Sequence, residues 1–304
     1  MDDTPRTAGL RCPWTPDSRR SSTCQAGASR TGPRHDNQDR FFVRESTGSL
    51  AVACVADGLG GHEAGQQAAQ IAVDSVAELD EALRGANGVS RSELRRAMRT
   101  AFLTANQRIR EFGTRAGIES LGTTLVMTVV LDGRYVVANT GDSRCYFVNA
   151  HDAWALTRDH SYVQDLVARG SMTPEAARNS PYRHQLTECL GGDEEPKIDF
   201  YPSGELFGLM DEACALLLCS DGVHSSVAAE EMGTILRAAA DLQRGCNALV
   251  DQALANGSTD NATVAAIEVG DLHVLERRPR WFRSPWLSLR RWSPVTVRSK
   301  EETG

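Results

Sequence analysis

No stretch of this sequence reaches the roughly 18–20 consecutive apolar residues that a membrane-crossing helix needs. Nor is there a Cys-x-x-Cys pair. The eight cysteines are scattered at 12, 24, 54, 145, 189, 214, 219 and 246, which argues against a zinc ribbon and a disulfide framework. Several sit in apolar runs, so buried, reduced thiols are expected, as in a cytoplasmic protein. An apolar secretory segment is missing behind the acidic start MDDTPRTAGLRCPW, and the chain is read as cytoplasmic. A positive balance is lacking too: Lys and Arg total 33 against 40 Asp and Glu, a formal net charge of −7. Bulk charge therefore gives no reason to expect a nucleic-acid partner.

What is present divides into three. Residues 1–22 are polar, with prolines and the run SRRSS, and are expected to be a disordered lead-in. Residues 23–270 carry the pattern of a folded domain. Residues 271–304 turn basic and hold Trp281, Trp286 and Trp292 in RRPRWFRSPWLSLRRW; this tail is either solvated or docks weakly on an anionic membrane or a partner.

Within the domain, strands are expected at 41–43, 50–56, 123–131, 135–139, 145–149, 154–156, 213–220 and 262–269, with Asp132-Gly133 as a hairpin turn. Helical periodicity runs over 65–83, 92–112, 228–240 and 243–255. Shorter helices are expected at 161–169 and at 174–178, the latter capped by Thr173 with Pro174 in first position. Strands joined by hairpins and helices arriving in pairs predict an α+β fold with a mostly antiparallel sheet.

Four carboxylates stand out: Asp39 in RHDNQDRFF, Asp57 in VADGLGGH, Asp221 in CSDGVHSS and Asp260 in STDNATV. Asp-Gly and Asp-Asn are also ordinary turn residues, as at Asp132-Gly133. Three of the four, however, fall where a β-rich run meets a glycine- or asparagine-containing turn. Strand ends gathered on one side of a sheet would bring these carboxylates within a few ångströms, tolerable only with cations between them. A donor set of oxygens alone selects Mg²⁺ or Mn²⁺. Two such ions would suit phosphoester hydrolysis by an activated water.

The ordered series RHDNQDRFF, VADGLGGHEAGQQAA, LGTTLVMTVV, ANTGDSRCYFV, LTRDHSYVQDLVARGSMTPEAA, LTECLGG, LLLCSDGVHSSV and STDNATV resembles the metal-dependent type 2C (PPM) protein serine/threonine phosphatases. The GGH after the first Asp-Gly is similar to their bacterial branch. The resemblance implies a central sandwich of two antiparallel β-sheets flanked by pairs of α-helices. It implies that Asp57 bridges two metals with the Gly58 carbonyl as a further ligand, that Asp221 and Asp260 bind one of them, and that Asp39 holds a water beside them. Asp142 matches a third, weaker metal position, with Asp159 near it, and Arg34 matches the arginine that grips substrate phosphate. His62 is a candidate general acid, whereas His160 reads as structural. Two departures are visible: Gln38 stands where the family often has Glu, and Leu59 where the animal branch has a proposed acid. The segment 161–183 corresponds to a variable flap beside the site.

The activity implied is hydrolysis of phosphoserine and phosphothreonine on proteins, opposing a serine/threonine kinase. Two other readings stay open. One is an inactive module that binds a phosphoprotein or kinase; the other is a phosphatase for a sigma-factor regulator. Cys219, two residues before Asp221, would share that aspartate's face if the strand continued.

Overall fold

In the computed structural model, which describes residues 23–44, 50–61, 63–86, 89–118, 120–192, 195–204, 206–210, 213–270 and 272, the elements follow one another closely. The chain begins with β1 (Thr23–Arg30), β2 (Asp39–Val43) and β3 (Leu50–Gly60), then the helices α1 (Glu63–Gly85) and α2 (Arg91–Ala116). A run of strands follows: β4 (Leu121–Thr123), β5 (Leu125–Leu131), β6 (Arg134–Thr140), β7 (Arg144–Asn149) and β8 (Ala153–Ala155). Next come α3 (Tyr162–Ala168), α4 (Pro174–Arg178), β9 (Asp199–Tyr201), β10 (Gly208–Leu209) and β11 (Cys214–Cys219). The described chain closes with α5 (Asp221–His224), α6 (Ala229–Ala238), α7 (Leu242–Ala255) and β12 (Ala262–Val269). The expected lead-in and basic tail, apart from Leu272, lie outside the described residues.

The strands form two antiparallel sheets. One is ordered β1-β12-β11-β7-β8 and the other β10-β6-β5-β3-β2, with β9 added to β6 and β4 to β3. Period-two alternation explains how they stack. Ala51, Ala53 and Val55 of β3 meet Leu216, Leu218, Ala265 and Ile267 of the facing sheet. The alternate residues Val52, Cys54 and Ala56 pack under α1 and α2 with Phe102 and Met98. On the far side, Leu217 and Val264 bury Leu236, Leu249 and Val250 of α6 and α7. A strand buried on both faces reads as a continuous apolar run, which is why Leu50–Ala56 and Ala215–Ser220 were conspicuous. The four layers are helices, sheet, sheet, helices, as the resemblance implied.

Local chemistry sets the element ends. Ser90 and Glu93 form a reciprocal capping box at the start of α2, and Gly117 ends that helix in a left-handed conformation, φ 69°. Asp132 (φ 53°) and Gly133 (φ 71°) make the tight turn between β5 and β6. Thr173 caps α4 over Pro174.

Candidate active site

One end of the sandwich gathers the loops that the sequence singled out. β2 and β3 are paired so that Asp39 lies opposite Asp57. β3 does not stop at Ala56 as expected; it continues through Asp57 to Gly60, held by β4. The Asp57 amide bonds to Thr124 Oγ1 at 3.0 Å, and its carbonyl accepts from Thr123 Oγ1 at 2.9 Å and the Thr124 amide at 2.9 Å. Gly58 is required by space: a Cβ there would collide with the Gly65 and Gln38 carbonyls.

The second Asp-Gly behaves differently. β11 ends at Cys219, and Asp221 is the first residue of α5. The Ser220 hydroxyl makes no cap bond to that helix. It donates instead to Asp39 Oδ2 at 2.7 Å and accepts the Thr263 amide at 3.1 Å, which ties the two sheets together behind the site. Cys219 therefore shares no strand face with Asp221. It is fully buried, and burial pushes its thiol up to about 12, the signature of an inert cysteine.

Asp260, next to Asn261 at the end of the same sheet, completes the wall. Asn261 clamps the loop before β2: its Oδ1 accepts the Gln38 amide at 2.8 Å, and its Nδ2 donates to the carbonyls of Thr31 at 2.8 Å and Asp36 at 3.0 Å. That clamp presents Arg34, whose Nε donates to the Thr259 carbonyl at 3.0 Å and whose Nη2 donates to Asp260 Oδ2 at 2.7 Å.

These groups line a cleft of about 610 Å³ that includes Arg34, Asp57, Asp142, His184, Asp221 and Asp260. Asp39 lies behind it, 2 % exposed. Burial, followed by the charges of Asp39, Asp221, Asp142 and Asp260, drives the Asp57 carboxyl well above its usual range. Burial also raises Asp39 to about 6, although the Ser220 and Thr263 hydroxyls pull the other way, and burial with Asp221 raises Asp142 to about 8. Asp260 is raised by burial and Asp221. Asp221 alone goes down: burial opposes ionisation, but a 3.2 Å contact with His184 Nδ1 and nearby cationic charge outweigh it.

Among the described residues no group of three or more His, Cys, Asp or Glu is tight enough to hold an ion as it stands. Asp57, Asp142, Asp221 and Asp260 line a common cleft with Asp39 behind it, and they feel each other's charge. The donor set still fits a hard cation. Every candidate ligand is an oxygen, and the buried Oδ1 atoms of Asp39 and Asp221 have no hydrogen-bond partner. An isolated, partnerless carboxylate oxygen is costly in a protein interior.

Other expectations are redistributed. Asp159 is committed to Arg144, with both carboxylate oxygens at 2.7 Å from the guanidinium. His160 is structural: its Nδ1 accepts the Gly141 amide at 3.3 Å, and its Nε2 donates to Asp199 at 3.0 Å. His62 lies outside the described residues. Sequence reasoning missed His184, Ser220 and Asn261. It also missed His224, buried and pushed down to about 4, whose Nε2 donates to the Asp142 carbonyl at 3.0 Å.

Comparison with known proteins agrees with this geometry. The family model for protein phosphatase 2C matches residues 26–256. The serine/threonine phosphatase stp of Listeria monocytogenes is 32% identical over 237 residues, covering 77% of this chain and 91% of that protein. The S. agalactiae serine/threonine phosphatase superposes with a TM-score of 0.73 at 28% identity, over 81% of this chain and 99% of that one. The catalytic domain of the phosphatase PstP, solved in complex with 2 manganese ions, has a TM-score of 0.67 at 28% identity, over 82% and 98% of the two chains. The chain belongs to the protein phosphatase 2C (PPM) family of metal-dependent serine/threonine phosphatases, on its bacterial branch.

Proposed function

We propose that this cleft removes phosphate from phosphoserine and phosphothreonine side chains of proteins in the cytoplasm with two divalent cations, Mn²⁺ or Mg²⁺, and that it opposes a serine/threonine kinase. The observation that carries the reading is one cleft in which four carboxylates, Asp57, Asp142, Asp221 and Asp260, face Arg34, with Asp39 behind them and the buried Oδ1 atoms of Asp39 and Asp221 partnerless. Asp57 with the Gly58 carbonyl, Asp221 and Asp260 would hold the two ions, and Asp142 a weaker third. When bound, such ions supply a polarised water and neutralise charge on phosphoryl oxygens.

The chain's own residues do the rest. Arg34 spends Nε and Nη2 on Thr259 and Asp260, which leaves three of its five N–H donors for a phosphoryl group. Asp39, fixed by the Ser220 hydroxyl, orients water toward that group from the floor of the site. Gly58 and Gly222 keep the backbone close: a Cβ at Gly222 would collide with the Asn261 carbonyl. The flap that carries α3 and α4 ends in Arg183 and His184 at the cleft mouth, where it shapes which phosphorylated segments enter.

Phosphate release from a phosphothreonine peptide, followed in parallel with Mn²⁺, Mg²⁺ and EDTA, tests the reading. Turnover with either ion and none in EDTA is the expected result; turnover undiminished by EDTA, or none under any condition, would overturn it.

A further inference from the structure

The molecule carries a second cleft, of about 720 Å³, that shares no residue with the catalytic one. Its wall is one face of α2, from which Arg95, Arg96 and Arg99 project, and its floor is the whole of β9 followed by Ser203 and Gly204. Three features define what it can take.

The first is charge. Arg95 is a fixture of the fold: its Nη2 donates to the carbonyls of Pro202 and Leu206, at 2.7 Å each, and its guanidinium lies 5.3 Å from the centre of the Phe200 ring. Arg99 reaches Glu195 at 2.6 Å, but both side chains are solvent-exposed, and exposed pairs of this kind exchange readily. Arg96 is exposed and makes no ion pair among the described residues, though its charge is felt at Glu93. The carboxylate at the floor, Asp199, is already spent on His160 at 3.0 Å and Lys197 at 3.3 Å. Among the described residues that line it, the cleft therefore offers three arginines and one carboxylate, Asp199, which is already paired.

The second is a sheet edge. Among the described residues β9 pairs only with β6, so its other side carries no strand. An uncovered edge is where an extended segment adds by main-chain hydrogen bonds. The third is an apolar rim, since Leu206 is 64% exposed beside the cleft.

From these features we infer that the α2–β9 cleft docks an extended, acidic segment of a partner protein, with its carboxylates on Arg96 and Arg99 and an apolar side chain against Leu206. The chain's own basic tail is excluded as occupant by charge, because RRPRWFRSPWLSLRRW would meet three arginines. Docking in a cleft that shares no residue with the catalytic one would let the enzyme hold a partner by a segment other than the phosphorylated one.

The test uses the full chain in EDTA and a fluorescein-labelled peptide of about nine alternating Glu and Leu residues, with no phosphoryl group. Its outcome is therefore independent of the proposed hydrolysis. Fluorescence anisotropy is expected to show saturable binding that weakens with salt, and the Arg96→Glu/Arg99→Glu double variant should bind about tenfold more weakly. The same variant should gain affinity for the Lys/Leu counterpart of the peptide. Melting curves check that the double variant is folded; both side chains are exposed, and a single Arg96→Glu variant serves as a second reading with a smaller loss. No binding by the wild-type chain, equal affinities of wild type and folded variants, or equal binding of acidic and basic peptides by the wild type would each overturn the assignment.

Discussion

The two Asp-Gly pairs, Asp57-Gly58 and Asp221-Gly222, begin from the same dipeptide at the same end of the sandwich and arrive at opposite electrostatic states. Both glycines are forced by backbone on the other side: the Gly65 and Gln38 carbonyls for Gly58, the Asn261 carbonyl for Gly222. Asp57 remains inside β3, opposite Asp39, and burial, with the charges of Asp39, Asp221, Asp142 and Asp260, drives its carboxyl up. Asp221 opens a helix and touches His184, and its carboxyl is pulled down. The His184 hydrogen bond leads that pull, and the charges of His224, His184 and Arg34 add to it. On the proposed reading the difference places the greater need for a cation at Asp57, whose carboxyl is pushed up by burial and the neighbouring aspartates, and the lesser at Asp221.

Exchanging each aspartate for its isosteric amide breaks the comparison most sharply. Asp57→Asn and Asp221→Asn should each lower Mn²⁺-supported turnover about a thousandfold or more, because on the proposed function each removes a charge that would hold the cations at the reacting phosphoryl group. In EDTA their melting temperatures should diverge. Asp57→Asn relieves an unfavourable charge and should melt higher than wild type, whereas Asp221→Asn gives up the His184 pair and should melt lower. Shifts of the same sign would show that the two sites share one environment.

Steric demand at the two glycines comes next. Ala at Gly58 or Gly222 forces backbone apart in both cases, and overpacking of this kind costs about 1–3 kcal/mol, read as a lower urea midpoint. The Gly222→Ala loss should persist in Mn²⁺, since its clash is with the Asn261 backbone and not with a side chain that can yield.

Titration sharpens the comparison further. Asp142 is raised from 3.8 to about 8, so the folded chain holds this proton more tightly than the unfolded one. The associated stability is full below the unfolded value and is lost as pH rises through 8. In EDTA, lowering the pH from 9 to 6.5 should therefore stabilise the chain by about 2 kcal/mol through Asp142, roughly 5 °C in melting temperature. Asp57 acts in the same direction. Below 6.5 His224 opposes the trend, because its depressed value makes protonation favour unfolding. With saturating Mn²⁺ the rise should vanish or invert, as ions favour the deprotonated carboxylates. A melting temperature flat from 9 to 6.5 in EDTA would contradict the raised values.

The sandwich was legible because its central strands are buried on both faces, and the helices because one face of each is apolar. β1 escaped notice: TCQAGASR is half polar, and its Gly27 is covered by the Phe41 ring rather than by its own side chain. β9, β10 and α5 have three, two and four residues, too few for any period to register. The aspartates could be read because each sits at a break in apolar patterning and in a recognisable order. Ser220, His184 and Asn261 could not: their partners lie 181, 37 and more than 220 positions away, and only the tertiary fold, sheet against sheet for Ser220 and the flap over α5 for His184, makes those pairs. The strand expected over 213–220 ends at Cys219, Ser220 turns toward Asp39, and the chain coils into α5, so the condition on which Cys219 would share a face with Asp221 is not met.

The smallest effect isolates the one contact that separates the two aspartates. His184 is raised above 6.5 by its bond to Asp221, so the pair stabilises the fold fully below 6.5 and ceases to as pH rises through the raised value. Its side chain is 52% exposed, and solvent limits the contribution to about 0.2–1 kcal/mol. His184→Ala should therefore melt about 1–2 °C below wild type at pH 6 in EDTA and match it at pH 9. Added Mn²⁺ should erase the difference at pH 6, because an ion on Asp221 takes over the role of the imidazolium. A deficit that persists unchanged at pH 9 and in Mn²⁺ would mean that His184 acts by packing alone, and the low value of Asp221 would then have to come from His224 and Arg34.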